Sequence, residues 1–191
     1  MKKEFAFFIS FIGHPLLTLS VFSIIAFFTY EESKQALLHS SLIIAGIVLP
    51  LTVKMYLNAK KGMYTNFDVS NQTQRQSWYV YAVLVLLIVT ILLFITDQPR
   101  TLRLSVLFSL ILMAASQAMN YFIKSSLHVS FNIFLSFLIM TMNVPAGILL
   151  MIFTILIIWS RLTLKRHTIK EIITGAVLGL TVGIFSLCLI H

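Results

Sequence analysis

The stretch 131-FNIFLSFLIMTMNVPAGILLMIFTILII-158 decides how the chain is threaded. Read as one helix with its flanks, His128 to Arg161, it would run about 50 Å at ~1.5 Å per residue, far beyond a hydrocarbon core of ~30 Å. It would also set the polar groups at its two ends on opposite faces of a membrane. Asn143-Val144-Pro145 offers a break, because proline lacks the backbone N–H and disfavours helical geometry in the residue before it. Splitting there predicts one helix over Val129–Met142 and another over Ala146–Trp159, fourteen residues each. At ~1.5 Å per residue both fall short of the core thickness, so both are expected to recruit flanking residues or thin the bilayer locally. The chain then doubles back, and Lys124–His128 comes to the same face as Ser160–Glu171.

Outward from that stretch the composition is uniform. With 59% hydrophobic and 10% charged residues, the sequence has the makeup of a polytopic membrane protein. The expected fold is all-α, one bundle of six to seven transmembrane helices forming a single domain over residues 1–191. The acidic residues are six, Glu4, Glu31, Glu32, Asp68, Asp97 and Glu171, too scattered for a carboxylate-held magnesium cluster. Cys188 is the lone cysteine, which leaves neither a disulfide framework nor a thiolate metal site. No metal and no cofactor is expected. A formal net charge of +8 sits in short loops between lipid-length helices, so the expected partner is anionic lipid and not nucleic acid.

The chain opens with MKKEFAFFISFIGH, basic and then apolar like a signal peptide. It shows no small-residue cleavage site, and its apolar run continues to Tyr30, so it is expected to stay as an uncleaved first helix, Glu4–Tyr30. His14-Pro15 lies inside that helix, with His14 expected to bond a backbone carbonyl. A turn at Glu31–Lys34 leads to a helix over Gln35–Asn58, kinked at Pro50, with His39 interfacial at its start. Residues 59–77 form the longest polar loop and carry Arg75. Helices over Trp78–Thr96 and Leu104–Ile123 follow, the first with Trp78, Tyr79 and Tyr81 as an interfacial belt. The last helix, Thr168–Ile190, carries Gly175, Gly179 and Gly183 four residues apart, a stripe that permits close helix contact.

Seven crossings put Met1, the 59–77 loop, Lys124–His128 and Ser160–Glu171 on one side. All the Lys and Arg residues except Lys34, Arg100 and Arg103 fall there too. The positive-inside rule makes that face cytoplasmic.

The most polar stretch on that side is 160-SRLTLKRHTIKEIITGAVLGLTVG-183. Five basic groups and one carboxylate occupy the eleven residues from Arg161 to Glu171. Ionisable groups at a membrane edge are costly and usually functional. If a helix starts near Thr168, Glu171 lies one turn beyond His167 and can hold one ring nitrogen, freeing the other to attack phosphorus. Arg161 supplies a planar fork for phosphate oxygens. Two plainer explanations stand beside this one. Thr168-Ile-Lys-Glu171 is a capping box, in which Glu171 ties down a helix start, and the basic cluster anchors a loop on lipid headgroups.

The spacing Ser-Arg, five residues, His, three residues, carboxylate resembles the third motif of the type 2 phosphatidic acid phosphatase superfamily, with Glu171 in place of its Asp. The second motif, Pro-Ser-Gly-His, aligns with Ser125-Ser126-Leu127-His128, matching at Ser126 and His128. The first, Lys, six residues, Arg-Pro, matches only at Arg75, with Asp68 and Gln76 at the other positions. The chain also resembles a short bacterial subgroup with His-Pro in its first helix and a Lys-x-Ser-x-His second motif, which Lys124-Ser-Ser-Leu-His128 fits. The resemblance implies an integral phosphatase of the bacterial inner membrane acting on a phospholipid or isoprenyl phosphate without metal. In it, His167 would attack phosphorus, Glu171 would orient His167, and His128 would protonate the leaving oxygen, while Arg75, Lys124, Ser126 and Arg161 would hold the phosphate. The missing Lys, Pro and Gly leave two alternatives: a catalytically silent relative that binds or moves anionic lipids, and an isoprenoid-diphosphate-processing enzyme using the same cradle.

Overall fold

A computed structural model describes residues 1–65, 69 and 71–190, and all of its regular elements are helical. They are α1 (Lys2–Ile12), α2 (Pro15–Tyr30), α3 (Ser33–Ile43), α4 (Leu49–Lys60), α5 (Gln72–Ile95), α6 (Arg100–Asn120), α7 (Leu127–Met140), α8 (Val144–Thr163) and α9 (Ile169–Ile190). A π-helical turn, Ile44–Val48, joins α3 to α4 just before Pro50, giving one span of 28 residues, Ser33–Lys60. Wider turns of this kind absorb the hydrogen bond that proline cannot make. Among the described residues five helices are long and apolar enough to cross a membrane, and six if α1 and α2 count as one bent span. The chain is an integral membrane protein with an all-α bundle.

The first helix is not continuous. It breaks at Gly13-His14 with a bend of 51°, and His14 is the N-cap of α2, its Nδ1 accepting from the Leu16 N–H at 3.3 Å. At Nδ1 the partner is therefore a backbone donor. Pro15 suits the first helical position because its missing N–H would be unpaired there anyway. Gly13 allows the bend to sit against α8, since a Cβ there would lie 2.5 Å from Ile157 Cδ1.

The break at Pro145 is present. Asn143 caps α8, its side chain accepting from the Ala146 N–H at 2.9 Å. Helix α8 is longer than expected, twenty residues, because it continues through Arg161 to Thr163. Of the two helices flanking the break only α7 is as short as expected, and it is the centre of the bundle, with eleven of its fourteen residues buried. A helix apolar on all sides is an interior helix. Helix α9 lies against α7 along the glycine stripe: a Cβ on Gly175 would come within 2.6 Å of the Ser126 carbonyl oxygen, and one on Gly179 within 2.5 Å of the Ser130 carbonyl oxygen.

Helix ends are tied pairwise, so the bundle has two distinct faces. At one, Gln72 and Asn120 exchange side-chain to backbone bonds of 2.8 and 3.1 Å. At the other, the Tyr30 hydroxyl donates to the Met142 carbonyl at 3.2 Å, and Arg100 donates to the Leu189 carbonyl at 3.1 Å. Helix α5 begins at Gln72, six residues before the expected start, because Asn71 caps it with bonds to the Thr73 and Gln74 N–H groups. Arg75 is therefore helical. That early start also turns Trp78 and Tyr79 inward, 6% and 0% exposed, so they are core residues and not an interfacial belt.

Candidate active site

The N-termini of α5, α7 and α9 and the C-terminus of α8 meet at the first face. The early N–H groups of a helix have no partner within it and carry partial positive charge. Among the N-termini sit three cations. Arg75, in the first turn of α5, is 6% exposed; its Nη1 donates to the Ser125 carbonyl at 2.9 Å, and its guanidinium lies 5.5 Å from the centre of the Tyr79 ring. Arg161, in the last turn of α8, is 2% exposed and donates from Nη1 to Ser10 Oγ at 2.7 Å. Lys124 donates to the Arg166 carbonyl at 3.0 Å, with Nζ 3.6 Å from Glu171 Oε2.

His167 reaches the cluster through the turn that ends α8. Lys165 takes a left-handed conformation, φ 53°, and the Arg166 N–H bonds the Arg161 carbonyl at 3.0 Å. This is a Schellman closure. It reverses the chain immediately after Arg161, so that His167 folds back beside it. Glu171 Oε2 then takes three donors: His167 Nδ1 at 2.9 Å, the Thr168 N–H at 3.0 Å and, more distantly, Lys124. The Glu171 N–H is 3.4 Å from Thr168 Oγ1. Both readings of Glu171 are thus realised together. It is the far half of a capping box and the partner of His167.

A carboxylate only accepts hydrogen bonds, so His167 presents Nδ1–H to Glu171 and keeps the lone pair on Nε2. That nitrogen has no hydrogen-bond partner among the described residues. Burial pushes the His167 pKa well below the ordinary histidine value, and Arg161, Arg75, Lys124 and His128 push it the same way. The ring is held neutral. Burial also lowers the Lys124 pKa; Glu171 opposes that shift, while Arg75 and Arg161 add to it.

Ser126 and His128 complete the set from α7. Ser126 is the N-cap, fully buried; its N–H donates to the Glu171 carbonyl at 3.0 Å, and its Oγ has no partner among the described residues. Ser125 Oγ is likewise buried and unpartnered. His128 is 5% exposed, and its ring packs edge-on against His14 at 5.1 Å.

All seven residues expected from the sequence, His167, His128, Glu171, Arg161, Lys124, Ser126 and Arg75, lie on this one face. Asp68 falls outside the described residues. Two members were not expected. Ser10 anchors Arg161 but is an isolated serine in an apolar helix, with no signal of its own. His14 was recognised as a buried His-Pro but not as a neighbour of His128, because that contact depends on the bend between α1 and α2. Among the described residues no three His, Cys, Asp or Glu side chains form a set that could hold a metal ion. No family model matches the chain, and neither a curated protein nor a solved structure matches it.

Proposed function

We propose that this face is a phosphate site, and that the protein is a lipid phosphate or diphosphate phosphatase working through a phospho-histidine. One observation carries the proposal. Two buried arginines, the half-buried Lys124, two serine hydroxyls unpartnered among the described residues and three helix N-termini surround a neutral histidine, with Glu171 as the carboxylate among them. Cations held close together in a partly dry site attract an anion. A bound phosphate dianion suits such a cluster, and the same fixed donors stabilise the charge on a transferring phosphoryl group.

In this mechanism His167 Nε2 attacks phosphorus as the bond to the leaving oxygen breaks, and His128, entering as the imidazolium, gives that oxygen its proton and becomes neutral. Glu171 holds the imidazolium that develops. His128 then takes a proton from water, whose oxygen attacks the phospho-histidine and releases inorganic phosphate. Arg75, Arg161, Lys124 and Ser126 hold the phosphoryl oxygens. The resemblance to the type 2 phosphatidic acid phosphatase superfamily supports the same assignment of roles.

The purified chain should release phosphate from at least one of phosphatidate, phosphatidylglycerophosphate and an isoprenyl diphosphate. It should also form an acid-labile phosphoenzyme that is absent in His167→Gln. Binding of these lipids with no phosphate release would make it a silent anionic-lipid protein. Diphosphate release with a changed hydrocarbon product would make it an isoprenoid-processing enzyme.

The bias of Lys and Arg toward the site face supports a cytoplasmic orientation in a bacterial inner membrane. Met63 is exposed in the loop after α4. In a Cys188→Ser background, Met63→Cys should resist an impermeant thiol reagent added outside intact cells; labelling there would reverse the orientation.

A further inference from the structure

Two rings beside the phosphate site, His14 and Trp78, take no part in holding the phosphate. His14 is fixed by three contacts. Its Nδ1 accepts from the Leu16 N–H at 3.3 Å, so Nδ1 carries the lone pair and the proton of the neutral ring is on Nε2. Asn132, fully buried on α7, donates from Nδ2 to the Gly13 carbonyl at 2.9 Å and to the His128 carbonyl at 2.7 Å. Its amide therefore ties the break between α1 and α2 to the turn of α7 that carries His128. The His14 ring then meets the His128 ring edge-on, with centres 5.1 Å apart and planes at 88°, a separation and tilt at which ring pairs attract.

Between these two rings and Arg75 lies a cavity of about 30 Å³. A water needs roughly 10–15 Å³ and two to four polar partners, so the space holds one or two waters. Trp78 is also on its wall, and the rest of the lining is apolar. Trp78 is 6% exposed, and its Nε1–H has no hydrogen-bond partner among the described residues. A buried N–H left unpaired is costly, and a water in this cavity gives it an acceptor. His167 is not on the wall. In-line attack on a phospho-histidine brings water to phosphorus from the side opposite Nε2, the side from which the leaving oxygen departed with the His128 proton.

We propose that this cavity seats the water that hydrolyses the phospho-histidine, with Trp78 Nε1–H holding its oxygen and His14 as a positioning residue that fixes the His128 ring toward it. This rests on the phosphatase reading of the site. The water oxygen bonds phosphorus with one lone pair and accepts from Trp78 with the other. One of its protons passes to neutral His128, and the other stays on the phosphate. The bond from phosphorus to Nε2 breaks, its electron pair returns to His167, and inorganic phosphate leaves with His128 again an imidazolium.

The test uses the full chain in detergent with phosphatidate, phosphatidylglycerophosphate and an isoprenyl diphosphate, each labelled in the phosphate, and an alkaline quench that preserves phospho-histidine. Trp78→Phe keeps a ring and removes the donor. Phosphoenzyme decay should slow by about tenfold or more, while its formation stays within about twofold of wild type. Equal loss in both steps, or wild-type decay, overturns the role of Trp78. His14→Asn keeps a good N-cap and removes the ring. It should slow formation and decay alike by about tenfold or more, because His128 serves both steps, and should move the ring nitrogen signals of His128 in a nitrogen-15 spectrum while those of His167 stay. Wild-type rates or an unmoved His128 signal overturn the role of His14. In wild type the Trp78 indole N–H, assigned with Trp159→Phe, should show a direct magnetisation-transfer peak to water. Its absence in a chain that turns over lipid overturns the water site alone. If no lipid forms a phosphoenzyme, the phosphatase reading fails and the hydrolytic role of the cavity fails with it.

Discussion

Among the described residues the bundle contains two histidine–glutamate pairs, one at each face, and they are nearly the same bond. His167 Nδ1 lies 2.9 Å from Glu171 Oε2; His39 Nδ1 lies 2.7 Å from Glu31 Oε2. Both rings are almost wholly buried. What differs is the second nitrogen and its surroundings. His39 Nε2 is bonded to Gln98 Oε1 at 3.0 Å, and its ring packs on Phe27 at 5.5 Å. It joins the α2–α3 turn to the α5–α6 turn, and with both nitrogens occupied it has nothing to offer a reactant. His167 keeps Nε2 unbonded among the described residues, under the charges of Arg161, Arg75 and Lys124. A carboxylate beside an imidazole is therefore not a catalytic feature by itself. The unoccupied nitrogen and the cations around it make the difference.

Changing the acid at each face separates the two roles, and the larger effect is expected at the site. Glu171→Gln should cut phosphatase turnover by ~10²-fold or more, the scale of a lost acid–base contribution, because a neutral amide does not stabilise the imidazolium. Gln is accepted in a capping box, so the melting temperature should move by less than about 5 °C. Glu31→Gln should do the reverse. Turnover stays within about twofold, and stability falls by about 1–2 kcal/mol for a weakened charge-assisted bond. Wild-type turnover in Glu171→Gln would reduce Glu171 to a helix cap and make the two pairs equivalent.

The asymmetry between the pairs was only half legible in the sequence. The His167 spacing could be read because its partners lie on one turn of chain and one helix start, where local geometry determines who meets whom. His39 was expected at the interface, since nothing within reach in sequence except Glu31 hints at burial, and Gln98 is 59 residues away. The spans were legible from hydropathy, as was the break at Pro145. Pro15 signalled a kink in the first helix, but the full break at Gly13-His14 was not legible, because the apolar run continues through it and Ile157 of α8 occupies the space a side chain at Gly13 would need. The early start of α5 had a signal in Asn71, a good N-cap residue, hidden by the polarity of the turn that follows it. Arg75 was thus found by its motif but assigned to a loop.

The two faces also close their helices alike, and this gives the smallest expected effect. Helix α5 ends with Asp97 at φ 49° and the Gln98 N–H bonded to the Leu93 carbonyl at 3.1 Å; α8 ends with Lys165 at φ 53° and the Arg166 bond to Arg161. Each turn delivers a polar side chain to its histidine cluster: Gln98 to His39, and His167 itself. Left-handed backbone costs an ordinary side chain about 1 kcal/mol, and Asp less, because its short polar chain bonds locally. Lys165 has no such relief, and it is exposed. Lys165→Gly should remove that strain, less roughly half of the gain to the added freedom of the unfolded chain. The net is about 0.5 kcal/mol of stabilisation, a rise of about 1–2 °C in melting temperature for a chain of this size. Asp97→Gly relieves less strain and also loses the 2.8 Å contact with Arg103, so its melting temperature should not rise. Turnover in Lys165→Gly should stay within about twofold of wild type, since the turn and not the ammonium group positions His167. A larger loss would place the Lys165 charge among the groups that hold the phosphate.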